Sequence, residues 1–117
     1  MSAYYHSLPL YQLIQRLLIR NHLLSKHFDK SLRHSLGLEL INLSWQLMDN
    51  FVIASNSTDK HQKKVAIHNL NLTHLKLKER YRLILELDVL SLRQQAIVND
   101  LMIEIGKMIG SWLKKTT

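Results

Sequence analysis

The side chains of this sequence whose types and spacing could do chemistry are mostly cations. Lys76 and Arg80 lie four residues apart, and so do Lys78 and Arg82. Residues with this spacing are neighbours on one face of a helix, so each pair would present two positive charges together. Such rows suit contacts with phosphate groups, which give affinity and salt dependence but little sequence information.

Other cations extend this pattern. Arg16 and Arg20 form a third pair with the same spacing, and Arg93 and Lys107 follow near the end of the chain. The chain carries 16 Lys and Arg against 9 Asp and Glu, which gives a net charge of +7 with neutral histidines. This excess in a small domain indicates a polyanionic partner, most simply nucleic acid. A solvated basic surface without a partner is the alternative.

Residues that could support catalysis or bind a metal are few. His61 and His68 could share a helical face, but no carboxylate joins them at the spacing of a Glu-x-x-His motif. The chain has no cysteine, which excludes disulfides and thiolate metal sites. No close pair of acids is placed for general acid–base catalysis, and there is no glycine-rich phosphate loop. We therefore expect no enzymatic activity, no cofactor and no metal.

The elements that must position these side chains are helices. Leucine is abundant, whereas the chain has only 3 glycines and 1 proline. Apolar spacing predicts four helices, over residues 8–25, 31–54, 60–87 and 92–115 of a single domain, 1–117. Ser7 with Pro9, the polar turn 56–59, and a Ser91–Gln94 capping box mark helix starts. Similar lengths and short connections favour an antiparallel up-down-up-down four-helix bundle.

Each predicted helix has an apolar stripe for the core. The stripes are Leu10, Leu13, Ile14, Leu17 and Leu24, then Leu36, Leu40, Leu43, Leu47 and Phe51, then Ala66, Leu70, Leu77, Tyr81 and Ile84, and finally Ile97, Leu101, Ile105, Met108 and Trp112. Trp45 is interpreted as a further core residue. Val65, Leu72 and Leu83 point almost opposite to the third stripe, which suggests contact with another subunit. Scattered surface leucines are the simpler alternative.

Two glycines, Gly106 and Gly110, lie four residues apart in the last helix. A glycine inside a helix costs roughly 0.5–1 kcal/mol relative to alanine, so close approach of another helix should offset them. Trp112 follows and would anchor the end of the bundle. The charged Lys107 between the glycines excludes the apolar segment of a membrane dimer motif.

The sequence shows no targeting or membrane-spanning segment. No apolar run reaches the roughly 18 residues that a membrane span needs. Residues 1–6 lack the basic and apolar regions of a signal peptide. We therefore expect a cytoplasmic protein.

Three segments together resemble one protein family. Residues 28–37, Phe-Asp-Lys-Ser-Leu-Arg-His-Ser-Leu-Gly, are similar to its Phe-Pro-Lys-x-x-Arg-x-x-Leu-Gly signature. Residues 77–91, centred on Tyr-Arg-Leu, resemble its Leu-Arg-Leu helix with a Ser-capped turn. Residues 104–113, Glu-Ile-Gly-Lys-Met-Ile-Gly-Ser-Trp-Leu, match its closing Glu-Ile-Gly-Arg-x-Leu-Gly-Gly/Ser-Trp pattern. The family is the accessory variability determinant (Avd) proteins of diversity-generating retroelements, in the 23S rRNA intervening-sequence-like four-helix-bundle group.

The resemblance implies a non-enzymatic, bacterial, archaeal or phage-encoded partner of a retroelement reverse transcriptase. Such proteins assemble as homopentameric barrels, bind nucleic acid through a basic surface, and support mutagenic retrohoming. The nucleic acid implied is template-repeat RNA, with cDNA as a second candidate. Matching positions make Lys30, Arg33, Arg82 and Lys107 the implied basic contacts. One position departs from the signature, because Asp29 stands where the family has proline and could pair with Lys30 or Arg33. The alternative is an RNA-binding or structural bundle of the intervening-sequence branch, without a polymerase partner.

Overall fold

The computed structural model describes residues 3–116 of the chain, and the side chains of residues 5–116. Met1 and Ser2, which belong to the segment considered for a signal peptide, and Thr117 lie outside the described residues. Within the described part the chain forms four long helices and no strand. The predicted all-α class is therefore confirmed.

Three of the four long helices are regular α-helices. Helix α1 spans Pro9–Ser25, α3 spans Lys60–Leu87 and α4 spans Leu92–Thr116. A short 3-10 helix, Ala3–Ser7, precedes α1. These bounds lie within one residue of those that the apolar spacing predicts.

Helix α2 is continuous from residue 30 to residue 56 but changes its hydrogen bonding near the start. It is an α-helix at Lys30–Leu32, a π-helix at Arg33–Gly37 and an α-helix again at Leu38–Asn56. A Cβ on Gly37 would lie 3.2 Å from Phe28 Cδ2, so the preceding loop packs closely on this turn. The π-helical turn was not predicted.

Local side chains define the helix starts. Ser91 Oγ accepts from the Gln94 N–H at 3.1 Å while Gln94 Oε1 accepts from the Ser91 N–H at 2.9 Å, which confirms the capping box. Asp59 Oδ2 likewise accepts from the Gln62 N–H at 2.9 Å. Pro9 lies in the first turn of α1, as predicted, but Leu8 rather than Ser7 occupies the N-cap and supplies no side-chain bond.

The four helices pack side by side around a shared core. Helix α1 borders α2 and α4, and α3 borders the same two helices from the other side. The molecule measures 44 × 22 × 21 Å, so the helices lie along its long axis. Short connections reverse the chain each time, which makes neighbours antiparallel. The arrangement is that of a four-helix bundle.

The predicted core stripes hold for α2 and α3 but not for α4. Every predicted stripe residue of α2 and α3 is buried, and in α1 only Leu13 is half-buried. In α4 the buried side chains are Val98, Met102, Ile105 and Ile109, whereas Ile97, Leu101, Met108 and Trp112 are half-buried. The buried face of α4 is thus turned toward α3 relative to the predicted stripe. Trp45 is 48% exposed, so its assignment to the core is also wrong.

A chain of buried hydrogen bonds crosses three helices. Tyr81 of α3 donates to Asn21 Oδ1 of α1, and Asn21 Nδ2 donates to Ser44 Oγ of α2 at 2.6 Å. Ser44 completes the chain by donating to the Leu40 carbonyl oxygen at 2.6 Å. Burial raises the pKa of Tyr81 well above its ordinary range, so the hydroxyl stays a donor. These bonds fix how the three helices align.

Candidate nucleic-acid interface

Helix α4 brings two of the predicted cation pairs together. Arg16 and Arg20 of α1 line a groove with Ile97, Asp100 and Leu101 of α4. Lys78 and Arg82 of α3 line a groove with α4 residues 95, 98, 99 and 102 on the other side. Both pairs therefore flank the same stretch of α4. Periodicity within one helix predicts each pair, but only the order of helices in the bundle brings the two pairs together.

Two further predicted cations are exposed on α4 itself. Arg93 precedes the flanked stretch, and Lys107 follows it. We use the name α4 face for the surface formed by the cations of α1, α3 and α4. Its members are Arg16, Arg20, Lys78, Arg82, Arg93 and Lys107.

Acidic side chains neutralise only part of this face. Arg82 Nε lies 3.5 Å from Glu79 Oε2, and Lys107 Nζ lies 3.8 Å from Glu104 Oε1. All four side chains are more than half exposed, so each pair contributes little to stability and opens easily. Among the described residues, the other four cations of the α4 face make no salt bridge, although Asp100 lines the groove of Arg16 and Arg20 and offsets part of their charge.

The remaining predicted basic contacts lie away from the α4 face. Arg80 points to the opposite flank of α3 and donates through Nε to Glu39 Oε1 of α2 at 3.1 Å. Lys76 is exposed on α3, and Lys30 is exposed at the start of α2. Arg33 donates to the Phe28 carbonyl oxygen at 3.3 Å. The structure therefore does not gather all ten predicted cations into one surface of a single chain.

Asp29 acts as a helix cap rather than as an ion-pair partner. Its Oδ1 accepts from the Leu32 N–H at 2.8 Å, which satisfies a free donor in the first turn of α2. Within the described residues it forms no salt bridge with Lys30 or Arg33. An aspartate cap thus starts the helix where the family signature has proline, and Asp29 does not pair with either cation.

Gly106 faces the imidazole of His74. A Cβ at Gly106 would lie 2.9 Å from His74 Cε1, which is closer than side chains tolerate. His74 Nε2 donates to the Met102 carbonyl oxygen at 2.8 Å, so the ring is held against α4. Burial lowers the pKa of His74 below its ordinary value of 6.5; the bond to Met102 opposes this shift, and Lys78 adds to it. The ring is therefore neutral at pH 7.

Gly110 has different surroundings. Nothing lies within 4 Å of a Cβ built on it, so the expected close approach of a second helix is absent within this chain. Trp112 is half-buried near the same end of α4, where its ring packs edge-on to Phe51 at 5.9 Å between centroids. Lys63 Nζ lies 5.8 Å from the centroid of the Trp112 ring. Gly106 therefore has a packing role in the monomer, and Gly110 has none.

The second apolar stripe of α3 faces outward. Val65 is 44% exposed, Leu72 is 50% exposed and Leu83 is 52% exposed. Sequence reasoning missed a second apolar surface at the α3–α4 corner, where Leu92 is 84% exposed. It also missed the groove between α3 and α4, because the residues that line it come from two helices with no common motif.

Metal sites and membrane-spanning helices are two further classes of feature that the described residues could contain. They include no group of three or more His, Cys, Asp or Glu side chains arranged to hold a metal ion. None of the helices in the described range is both long enough and apolar enough to cross a membrane.

Comparison with known proteins gives one positive result. A family model described as bAvd-like matches residues 9–116, which is almost the whole chain. The chain belongs to the bAvd-like family. The matched range includes all four long helices and every cation of the α4 face. No curated protein and no solved structure matches the chain.

Proposed function

We propose that this protein is a non-enzymatic accessory protein of a diversity-generating retroelement. In this proposal it binds RNA through the α4 face and binds the element's reverse transcriptase, and so supports mutagenic cDNA synthesis. The observation that carries the proposal is membership of the bAvd-like family over residues 9–116. Avd-like proteins are accessory proteins without catalytic activity, which agrees with the absence of a catalytic constellation in the sequence.

The charge of the chain supports nucleic-acid binding. The net charge is +7, and four of the six cations of the α4 face form no salt bridge among the described residues, although Asp100 lies in the groove of Arg16 and Arg20. Cations on the surface of a rigid bundle contact phosphates without a large ordering cost, and each contact releases a counterion. This chemistry gives binding that depends strongly on salt and weakly on sequence.

Assembly into a homo-oligomer, a pentameric barrel in this proposal, would multiply these contacts. Each copy adds its own α4 face, so several weak phosphate contacts act together on one RNA. The exposed Val65, Leu72 and Leu83 stripe is the candidate subunit interface. The reverse transcriptase would then meet the RNA on the ring and contact the ring directly.

The first experiment measures RNA affinity against salt. We expect affinity for single-stranded RNA to fall steeply between about 50 and 200 mM salt. The double variant Arg16→Gln/Arg20→Gln removes two charges of the α4 face and should lower the salt slope by about 2. Fluorescence anisotropy at several salt concentrations gives both values.

The matched control is Lys76→Gln/Arg80→Gln. These two cations are also four residues apart on α3, but they lie on the flank that faces α2, where Arg80 pairs with Glu39, away from the α4 face. The control should keep most of the wild-type slope. Equal losses in the two variants would show that the α4 face is not the interface, and affinity independent of salt would contradict nucleic-acid binding by phosphates.

A second experiment separates the two branches of the four-helix-bundle group. Co-expression with the reverse transcriptase of the same element, followed by purification through a tag on the polymerase, should recover both proteins. Failure to co-purify while RNA binding persists would favour an RNA-binding bundle of the intervening-sequence branch. Cytoplasmic localisation is part of the proposal, because the RNA and the polymerase are there.

A further inference from the structure

The groove between α3 and α4 has the composition of a ligand site. Its floor is apolar, with Leu90, Val98 and Met102 each less than a tenth exposed, and its volume is about 310 Å³. Ligand pockets typically measure roughly 300–1,000 Å³ and combine an apolar lining with a few polar groups. The groove is therefore large enough for one small molecule or one nucleotide.

The two edges of the groove carry different polar groups. Lys78 and Arg82 lie on the α3 edge, and no acidic residue lines the groove. Asn99 lies on the α4 edge, is exposed, and its amide has no hydrogen-bond partner among the described residues. Gln95 donates through Nε2 to the Leu90 carbonyl oxygen at 3.0 Å, which leaves its Oε1 available as an acceptor. A cationic edge thus faces an edge with amide donors and acceptors.

We propose that the α3–α4 groove binds one nucleotide of a single-stranded nucleic acid. The base lies on the apolar floor with its edge toward Asn99 and Gln95, and its phosphate lies on Lys78 and Arg82. This inference rests on the proposed nucleic-acid binding, and it adds a site for the base to a surface otherwise explained by phosphate contacts.

The polar groups favour a nucleotide over other anions with an apolar body. An acyl chain with an acidic headgroup would use the floor and the cations but would leave the amides of Asn99 and Gln95 unpaired. Amide side chains match the donors and acceptors on the edge of a base. A base can enter only when it is unpaired and unstacked, as in the loops and single strands that proteins recognise in RNA.

The first test uses small probes on the full chain. Adenosine and uridine monophosphate should shift the NMR methyl signals of Val98, Met102 and Ile103, whereas inorganic phosphate alone should leave them unchanged. The proposal is overturned if laurate shifts these methyl signals and the mononucleotides do not, because the groove would then be a site for acyl chains.

The second test uses strands with and without bases. Single-stranded RNA should bind more tightly than an abasic strand of equal length. Asn99→Leu should weaken binding of the RNA about tenfold and leave binding of the abasic strand unchanged. Asn42→Leu is the matched control, since Asn42 is also exposed, lies on α2 and is outside the groove. Both substitutions are at exposed positions, and thermal melting checks that the variants fold.

The outcomes distinguish this inference from the proposed function. Equal affinity for the RNA and the abasic strand would overturn the nucleotide site and leave phosphate binding intact. Binding to neither strand would contradict the proposed function itself. Equal effects of Asn99→Leu and Asn42→Leu would also overturn the site, because the groove would then have no special role.

Discussion

Gly106 and Gly110 occupy successive turns of α4, yet they have opposite surroundings. At Gly106 the His74 imidazole fills the space where a side chain would begin, and at Gly110 that space is open. The buried ring cannot move away freely, because it is bonded to the Met102 carbonyl oxygen. The same substitution at the two positions should therefore change stability in opposite directions.

The paired variants Gly106→Ala and Gly110→Ala test this difference. Gly106→Ala should lower the free energy of unfolding by about 1–3 kcal/mol, because the new methyl group overpacks against His74. Gly110→Ala should raise it by about 0.5–1 kcal/mol, because alanine is the better helix former. Urea unfolding followed by circular dichroism measures both. A loss of stability in Gly110→Ala would mean that another molecule covers this position.

His74 makes stability depend on pH. Burial lowers its pKa in the folded protein below the ordinary value of 6.5, so the unfolded chain takes up the proton first as the pH falls. The neutral ring makes its full contribution to the free energy of unfolding above pH 6.5, and this contribution declines as the pH falls below that value. His74→Gln keeps a donor at this position without the titration.

Acidification should therefore lower the free energy of unfolding of the wild type more than that of His74→Gln. Urea unfolding at pH values on both sides of 6.5 measures this difference for the two proteins in parallel. A difference that stays constant over this range would show that His74 titrates alike in both states, and that its burial has no electrostatic cost.

At the scale of the helices, alignment depends on the buried hydrogen bonds of Tyr81, Asn21 and Ser44. Tyr81→Phe removes the donor to Asn21 Oδ1 and leaves that oxygen buried without a partner. We expect the free energy of unfolding to fall by about 1–3 kcal/mol. Tyr11→Phe is the control, because Tyr11 is half-buried and has no hydroxyl partner among the described residues. Equal small effects in both variants would contradict the structural role of this bond.

The sequence predicts the core face of a helix well where charged residues separate its apolar stripes. Helix α3 has two opposite apolar stripes, but Lys76, Lys78 and Arg82 lie between them, and all five predicted core residues are buried. Helix α4 has apolar residues on both flanks because it packs against α1 and α3. Periodicity alone does not tell which flank lies deeper, so the prediction favoured Ile97 and Leu101 over Val98 and Met102. Tertiary contacts decide this choice.

The candidate site is predictable from the sequence only where it depends on spacing within one helix. Spacing within a helix identifies Arg16 with Arg20 and Lys78 with Arg82, because neighbours in one helix are a local property. The meeting of these pairs across α4 depends on the order of helices in the bundle, and the sequence contains no signal for it. The prediction for Trp45 failed for a different reason. A tryptophan usually lies in the core, but the position of Trp45 on α2 leaves it 48% exposed.

At the scale of the whole molecule, the exposed leucines of α3 predict self-association. A glutamate at position 72 would place a charge in the centre of the Val65, Leu72 and Leu83 stripe, where Leu72 is 50% exposed. Leu72→Glu should therefore dissociate an oligomer while changing the unfolding of the monomer little, because the side chain is outside the core. Light scattering at matched concentrations measures the mass of both proteins.

The control for this prediction is Leu38→Glu. Leu38 is 49% exposed on α2 and lies outside both the stripe and the α4 face, so this variant should keep the wild-type mass. A wild-type protein that is monomeric at every concentration would contradict association through the stripe. RNA affinity of the two variants then shows how much binding depends on several copies acting together.

The π-helical turn of α2 has a consequence for how the length of this chain can vary. A helix rarely gains or loses one residue, because each residue rotates everything beyond it by about 100°. The Arg33–Gly37 turn holds one residue more than an α-helical turn would, between the short first turn and the long packed segment Leu38–Asn56. Relatives one residue shorter in this helix could lose it here and leave the packing of the long segment unchanged. The positions of Phe28 and Lys30 around the helix axis would then also be kept in such relatives, because a π-helical turn and an α-helical turn cover the same full rotation.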